Sequence, residues 1–149
     1  MSIWPRLNQR GMTLIELLAV IVILGILAAI GVVSISTVIQ NQKDRAFIGN
    51  ALALKEATSL FIQQELASGN TLPNEITYED LYVANLISKF KDPDTGNLIE
   101  PSEETYVTLS DKAPEAVCLK GEKRILCKKN GVEGPIVFSE LSTDLLTSK

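Results

Sequence analysis

Residues 11–42 read GMTLIELLAVIVILGILAAIGVVSISTVIQNQ, and Glu16 is the only residue in this stretch with a formal charge. Residues 17–33 contain no polar side chain at all. An α-helix needs about 20 consecutive apolar residues to cross the hydrocarbon core of a bilayer. Residues 12–39 exceed this length, so we predict one transmembrane helix over 12–39.

The charges around this segment predict its orientation. Arg6 and Arg10 precede it, whereas the next basic residue after it is Lys43. Because positively charged flanks stay in the cytoplasm, we expect the N-terminus there and the rest of the chain outside the membrane. A cleaved secretory signal peptide is the alternative, but its apolar stretch would be only about 7–15 residues long. The closest small-residue cleavage site, residues 27–29, lies in the middle of the apolar run, which argues against it.

The composition of the chain argues against an enzyme. The 149 residues have a formal net charge of −4, include no histidine and include two cysteines. The commonest general base and transition-metal ligand is therefore missing, and there are too few thiolates for a four-cysteine zinc site. A G-x-S-x-G nucleophile motif is also missing. We therefore predict no catalytic residue, no resident metal and no cofactor.

Glu16 is the residue of the apolar segment that most needs a partner. A carboxylate inside a membrane costs roughly 2.5–3.5 kcal/mol on insertion scales, so it normally has both a partner and a function. The nearest cations, Arg6 and Arg10, belong to the cytoplasmic flank. This favours a partner from another molecule. Solvation of Glu16 by headgroups at the inner interface is the alternative.

The residues around Glu16 carry a resemblance to a known family. The stretch RGMTLIELL at 10–18, followed by the apolar run, resembles the processing signature of type IV pilins and pseudopilins. The resemblance implies that a prepilin peptidase cuts between Gly11 and Met12, and that Met12 becomes the methylated N-terminus. Residues 1–11 would then be a leader peptide, and Glu16 would be the fifth residue of the mature chain, the acid used in assembly.

Two features depart from the usual pattern of this family. Its first mature residue is commonly phenylalanine, and here it is Met12. Many members also carry a proline about twenty residues into the helix, whereas residues 29–33 read AIGVV. Without proline, the helix has no obligatory kink at that point.

The resemblance also implies a function. The chain would be a structural subunit of a type IV pilus or pseudopilus that serves DNA uptake, protein secretion, adhesion or motility. It would form a homo-oligomeric filament with the help of the prepilin peptidase, an assembly ATPase and a platform protein. It would lie in the cell membrane as a single-pass protein and later in a surface filament. A membrane-anchored extracytoplasmic binding module that does not polymerise is the alternative.

The helical pattern continues beyond the membrane segment as an amphipathic half. Apolar residues recur at three-, four- and seven-residue intervals, and the run ends at Ser68-Gly69-Asn70, a plausible C-terminal cap. We therefore expect 40–149 to contain this helix half and an extracytoplasmic α+β head with a small antiparallel sheet, a pilin-like fold. The predicted apolar stripe comprises Ile35, Val38, Ile39, Ala46, Ala53, Ala57, Leu60 and Leu66.

The head is predicted to begin with a short helix and to end in strands. Thr77 and Asp80 fit a capping box for a helix that extends to about Ser88. Short segments rich in β-formers follow, and turn residues separate them. The predicted strands are 105–109, 116–120, 124–128 and 135–138.

The two cysteines lie on either side of a predicted hairpin turn at Gly121-Glu122. This turn would place Cys118 and Cys127 opposite each other, and an extracytoplasmic head permits a disulfide between them. A pair of reduced, half-buried side chains is the alternative.

Acidic residues in the predicted loop at 92–103 partly match a calcium-binding loop. Asp92, Asp94 and Glu103 stand at the first, third and twelfth places of a calcium-loop frame, but Asn97 holds the sixth place, where glycine is expected. Turn formation explains this segment equally well.

A basic cluster in the last third lacks interleaved aromatic residues, which argues against direct nucleic-acid binding and favours a solvated hairpin or intersubunit ion pairs. The cluster comprises Lys120, Lys123, Arg124, Lys128 and Lys129.

Overall fold

The computed structural model describes residues 13–149, apart from the side chain of Val33. The chain forms one long helix, α1 (Leu14–Ala67), then a short helix and a small antiparallel sheet. It divides into two compact units, with the boundary between Ile39 and Gln40. The predicted α+β architecture, a long N-terminal helix packed on a small antiparallel sheet, is confirmed.

The part of α1 in the first unit exposes apolar side chains all around. Between Leu14 and Ile39, the large apolar side chains described keep between 47% and 85% of their surface exposed. α1 is long and apolar enough to cross a membrane. The most apolar stretch of this helix is not buried within the protein. A helix that is apolar on all sides is stable in lipid or packed against other apolar helices, but not in water.

The part of α1 in the second unit packs one face into the core of the head, and this face shares only Ala57 with the predicted stripe. Phe47, Ala51 and Leu54 are fully buried, whereas Leu60 keeps 51% of its surface exposed. Apolar residues occur on two faces of this helix half, so the spacing alone does not select the face that the sheet covers. The remaining core residues are Ala57, Ile62, Ile76, Tyr78, Leu81, Ile99, Val107, Val117, Leu119, Leu126 and Ile136.

The sheet of the head is antiparallel, and its central strand is the longest. The strands are β1 (Glu75–Thr77), β2 (Tyr106–Ser110), β3 (Ala113–Lys120), β4 (Arg124–Leu126), β5 (Lys128–Lys129), β6 (Val132–Glu133), β7 (Ile136–Val137) and β8 (Thr147–Ser148). The path of neighbouring strands is β1-β2-β3-β4-β8, and β7 pairs with the middle of β3. A separate hairpin joins β5 and β6.

The four predicted strands therefore exist, with shifted bounds. β3 begins three residues earlier than predicted, and the predicted strand 124–128 is divided between β4 and β5. β1, β6 and β8 have only two or three residues each. Strands this short carry too little periodicity to be recognised before their partners are known.

The predicted cap at the end of α1 and the predicted capping box before the next helix are both present. Gly69 has φ +76°, and Asn70 N–H donates to the carbonyl of Glu65, which closes α1 with a Schellman-type cap. The helix α2 (Tyr78–Val83) begins after a capping box formed by Thr77 and Asp80. It ends earlier than the predicted Ser88, because the chain turns at Asn85 with φ 56°.

Candidate functional site

Glu16 closes a capping box at the start of α1. The backbone N–H of Thr13 donates to Oε2 of Glu16 over 2.8 Å, and the N–H of Glu16 donates to Oγ1 of Thr13 over 3.3 Å. The two residues thus satisfy two N–H groups that the first turn of a helix leaves free. The T-x-x-E spacing that forms this box is visible in the sequence, but our sequence analysis did not identify the role of Thr13.

The capping box places the charge of Glu16 without neutralising it. A carboxylate in the first turn interacts favourably with the positive end of the helix dipole. The side chain is exposed, and no basic side chain pairs with it within residues 13–149. Glu16 is therefore positioned at the helix end with its charge available to another group. The predicted cleavage pair, Gly11 and Met12, lies outside the described residues.

Cys118 and Cys127 are joined by a disulfide across the β3–β4 hairpin. Leu119 pairs with Leu126 in this hairpin, which brings the two cysteine Cα atoms to 4.4 Å. Both cysteines are only 1% exposed. The bond therefore ties two strands inside the core of the head.

The turn of this hairpin is one residue later than predicted. Lys120 pairs with Ile125 and β4 begins at Arg124, so Glu122 and Lys123 form the turn rather than Gly121-Glu122. Gly121 N–H donates to the carbonyl of Arg124 over 2.9 Å. The loop centre therefore lies midway between the two cysteines, where a bridge between opposite strand positions requires it.

The loop at residues 92–97 uses its first acid to bind backbone. The carboxylate of Asp92 is fully buried and accepts N–H bonds from Asp94 at 2.8 Å, Thr95 at 3.3 Å and Glu122 at 2.7 Å. These bonds shape the loop and attach it to the β3–β4 turn. The turn interpretation of this segment thus accounts for Asp92, and no group of three potential metal-ligating side chains occurs within residues 13–149.

Arg124 joins this loop to α1. Its guanidinium binds both carboxylate oxygens of Asp94, and its Nη1 donates to Oδ1 of Asp44 over 2.6 Å. Burial alone would raise the pKa of Asp44, but hydrogen bonds from Arg124 and Gln40 and the charge of Arg124 outweigh it, so the pKa lies below its usual value. Burial alone would lower the pKa of Arg124, but the bonds to Asp94 and Asp44 raise it. Arg124 therefore remains charged.

Most cations of the basic cluster form ion pairs within the head. Besides Arg124, Lys120 pairs with Glu133 at 3.1 Å and Lys129 pairs with Glu140. Three of the five cations thus form intramolecular ion pairs, whereas the sequence pattern favours a solvated hairpin or pairs between subunits. Cations used in this way contribute little to a basic surface.

Comparison with known proteins identifies the N-terminal segment. Residues 6–32 match the family model of the prokaryotic N-terminal methylation motif. Searches among curated proteins and among solved structures give no significant match. The matched motif family is structural rather than enzymatic, and the motif implies processing by a prepilin peptidase and assembly into a pilus. Together with the apolar helix, it also fits anchoring in a membrane. The chain carries the prepilin-type N-terminal signal of type IV pilin-like proteins.

Proposed function

We propose that this protein is a structural subunit of a type IV pilus or pseudopilus. The supporting observation is the apolar half of α1, which directly follows the processing motif and exposes its side chains in every direction. Burying one large aliphatic side chain away from water lowers the free energy by about 1.5–3 kcal/mol. The segment therefore requires lipid before assembly and the helices of other subunits afterwards.

Processing creates the partner that Glu16 needs. Cleavage between Gly11 and Met12 leaves an α-amine on Met12, which becomes methylated, and Glu16 follows only four residues later in the chain. Inside an apolar filament, an unpaired carboxylate would be strongly penalised. The carboxylate of one subunit therefore pairs with the N-terminal amine of its neighbour, and this pair sets the axial register of the subunits.

Removal of the leader also prepares the subunit for extraction from the membrane. The leader contains Arg6 and Arg10, which hold the N-terminus on the cytoplasmic side. Their loss lowers the cost of moving the helix out of the bilayer. Prepilin peptidase, an assembly ATPase and a platform protein are the partners in this process, and the head faces away from the cytoplasm. The filament serves DNA uptake, protein secretion, adhesion or motility.

The experiment that tests this function separates the charge of Glu16 from its capping role. In Glu16→Gln, the amide keeps a capping-box acceptor but has no charge. In Thr13→Ala, the hydrogen bond from Glu16 N–H to the threonine hydroxyl is lost and the charge remains. We expect Glu16→Gln to be processed normally and to be missing from sheared surface filaments, whereas Thr13→Ala assembles with reduced yield.

Intact-mass and N-terminal peptide mass spectrometry of the sheared fraction provide the measurement. A wild-type chain that starts at methylated Met12 in this fraction supports the proposal. A wild-type chain that retains residues 1–11 and stays in the membrane would instead indicate an anchored binding module. A chain that starts beyond Ala29 would identify the apolar run as a secretory signal peptide.

A further inference from the structure

The β5–β6 hairpin turns through an asparagine that is followed by a glycine. Lys129 pairs with Val132, so the loop between the strands consists of Asn130 and Gly131 alone. Their φ angles are 51° and 82°, and two positive φ angles in a two-residue loop are typical of a type I′ turn, for which Asn-Gly is a preferred sequence. Both residues are exposed, and a Cβ added to Gly131 would meet nothing within 4 Å. The turn is therefore open to water.

The two groups that could react with each other at this turn are not held by other contacts. Asn130 is the only asparagine of the sequence that precedes a glycine. The backbone N–H of Gly131 forms no hydrogen bond within residues 13–149. The side-chain amide of Asn130 donates none in the described part of the chain either, unlike the amides of Asn50, Asn70, Asn85 and Asn97. The side-chain carbonyl carbon of Asn130 and the nitrogen of Gly131 are thus free to approach each other.

Asn85 has a similar backbone conformation but different surroundings. It is exposed and has φ 56°. Its side-chain amide donates to the carbonyl of Val83 over 3.4 Å, and the N–H of the next residue, Leu86, donates to the carbonyl of Leu81 over 3.0 Å. The side chain of Leu86 also hinders access to its backbone nitrogen, whereas a glycine does not. Asn85 is therefore an internal reference for the reactivity of Asn130.

We propose that Asn130 is a site of spontaneous deamidation. The backbone nitrogen of Gly131 loses its proton to water and attacks Cγ of Asn130. A bond forms between these two atoms, the bond from Cγ to the amide nitrogen breaks, and that nitrogen takes up a proton and leaves as ammonia. Water then opens the resulting five-membered succinimide at either of its carbonyl carbons. The products are aspartate and isoaspartate, in which the main chain runs through Cγ. The reaction consumes only water, so it does not depend on the filament function proposed above.

The two products affect the hairpin differently. Aspartate tolerates a positive φ, and Asp-Gly is also a preferred type I′ sequence, so the turn persists with one additional negative charge. Isoaspartate lengthens the main chain by one carbon, which a two-residue turn does not accommodate. We expect the pairing of Lys128 with Glu133 to be lost, and with it the ion pair between Lys120 and Glu133 at 3.1 Å. Deamidation thus changes the charge and the surface of the head as a subunit ages.

Ageing of the full-length chain in detergent tests this inference, with peptide mass spectrometry as the measurement. The folded protein is incubated in mildly alkaline water enriched in the heavy oxygen isotope, which labels residues deamidated during the incubation. We expect Asn130 to convert at least about tenfold faster than Asn85, to a labelled mixture of aspartate and isoaspartate. If Asn130 stays unchanged in the folded protein but converts in the urea-unfolded chain, the turn protects it and the inference is wrong.

A variant of the following glycine tests the cyclic mechanism. Gly131→Ala adds a methyl group beside the attacking nitrogen, so we expect the conversion of Asn130 to slow by about tenfold. Gly134→Ala is the matched control, because its Cβ would also meet nothing within 4 Å and it does not follow an asparagine; its rate should equal that of the wild type. Equal rates in the wild type and Gly131→Ala, or aspartate without any isoaspartate, would overturn the inference.

Discussion

Arg124 holds Asp94 with two parallel hydrogen bonds, from Nε to Oδ2 over 2.6 Å and from Nη2 to Oδ1 over 3.1 Å. The same guanidinium reaches Asp44 on α1. One side chain of β4 therefore connects a loop, a strand and the long helix. This arrangement makes the head sensitive to changes at positions that are far apart in the sequence.

Replacement of Arg124 should destabilise the head. Arg124→Ala leaves two partly buried carboxylates close together, and we expect it to lower the free energy of unfolding by about 2–3 kcal/mol. Arg124→Lys keeps the charge but loses the planar fork, so its loss should be smaller, about 1–2 kcal/mol. Thermal unfolding of the detergent-solubilised chain, followed by circular dichroism, measures both. Lys123→Ala is the control, since this exposed neighbour has no ion pair within residues 13–149; an equal loss there would contradict the role of Arg124.

Asp44 should make stability depend on acidic pH. Its pKa is lower in the folded than in the unfolded chain, so its contribution is complete above the unfolded value, about 3.9, and declines as the pH falls through the folded value. The difference in unfolding free energy between wild type and Asp44→Asn should therefore be constant near neutral pH and shrink below about pH 4. Denaturant titrations across this range measure it. A difference that stays constant down to the acid limit would argue against the depressed pKa, and Glu115→Gln, at an exposed position, provides the reference.

Loss of the disulfide should destabilise the head to a similar degree. The bond closes a short loop, since its cysteines are 9 positions apart, and the chain-entropy estimate for such a loop is about 2–3 kcal/mol. Cys118→Ala/Cys127→Ala should lower the midpoint of thermal unfolding accordingly. Wild-type protein whose disulfide has been reduced should show the same lower midpoint. Alkylation followed by mass spectrometry on protein isolated from cells reports the oxidation state directly. Two alkylated thiols in the untreated denatured protein would show that the pair is reduced there.

Gly121 should not tolerate a side chain. An added Cβ would lie 2.7 Å from Oδ2 of Asp92, 2.7 Å from the ring of Phe47 and 2.9 Å from the carbonyl oxygen of Arg124. Since one of these is backbone, Gly121→Ala should cost about 1–3 kcal/mol of unfolding free energy. Gly134→Ala is the matched control, because its Cβ would meet nothing within 4 Å. Equal midpoints for the two variants would contradict the close packing at Gly121.

Local patterns predicted much of this molecule. The uninterrupted apolar run, the capping box at Thr77 and the glycine cap at Gly69 each act over a few residues, and the structure contains all three features. The T-x-x-E box at Thr13 and Glu16 is equally local, but the charge of Glu16 in an apolar segment is the more conspicuous feature of the sequence and does not by itself indicate a cap. The cleavage at Gly11 and the methylation of Met12 remain predictions.

Long-range contacts could not be predicted in the same way. Arg124 was assigned to a basic cluster with its sequence neighbours, although its acceptors lie 30 and 80 positions away. The predicted apolar stripe of α1 shares only Ala57 with the buried face, because Leu60 and Phe47 are both apolar and only the position of the sheet distinguishes them.

The sequence by itself determined the long apolar helix, the processing motif at its start and the α+β class, because these follow from composition and short-range spacing. Tertiary structure alone decided which face of α1 is buried. It also decided that Asp92 accepts hydrogen bonds from backbone N–H groups and that Arg124 binds two carboxylates. The physical reason is that burial and ion pairing depend on distances between residues far apart in the chain. Those distances exist only once the helix, the loop at 92–97 and the strands have packed together.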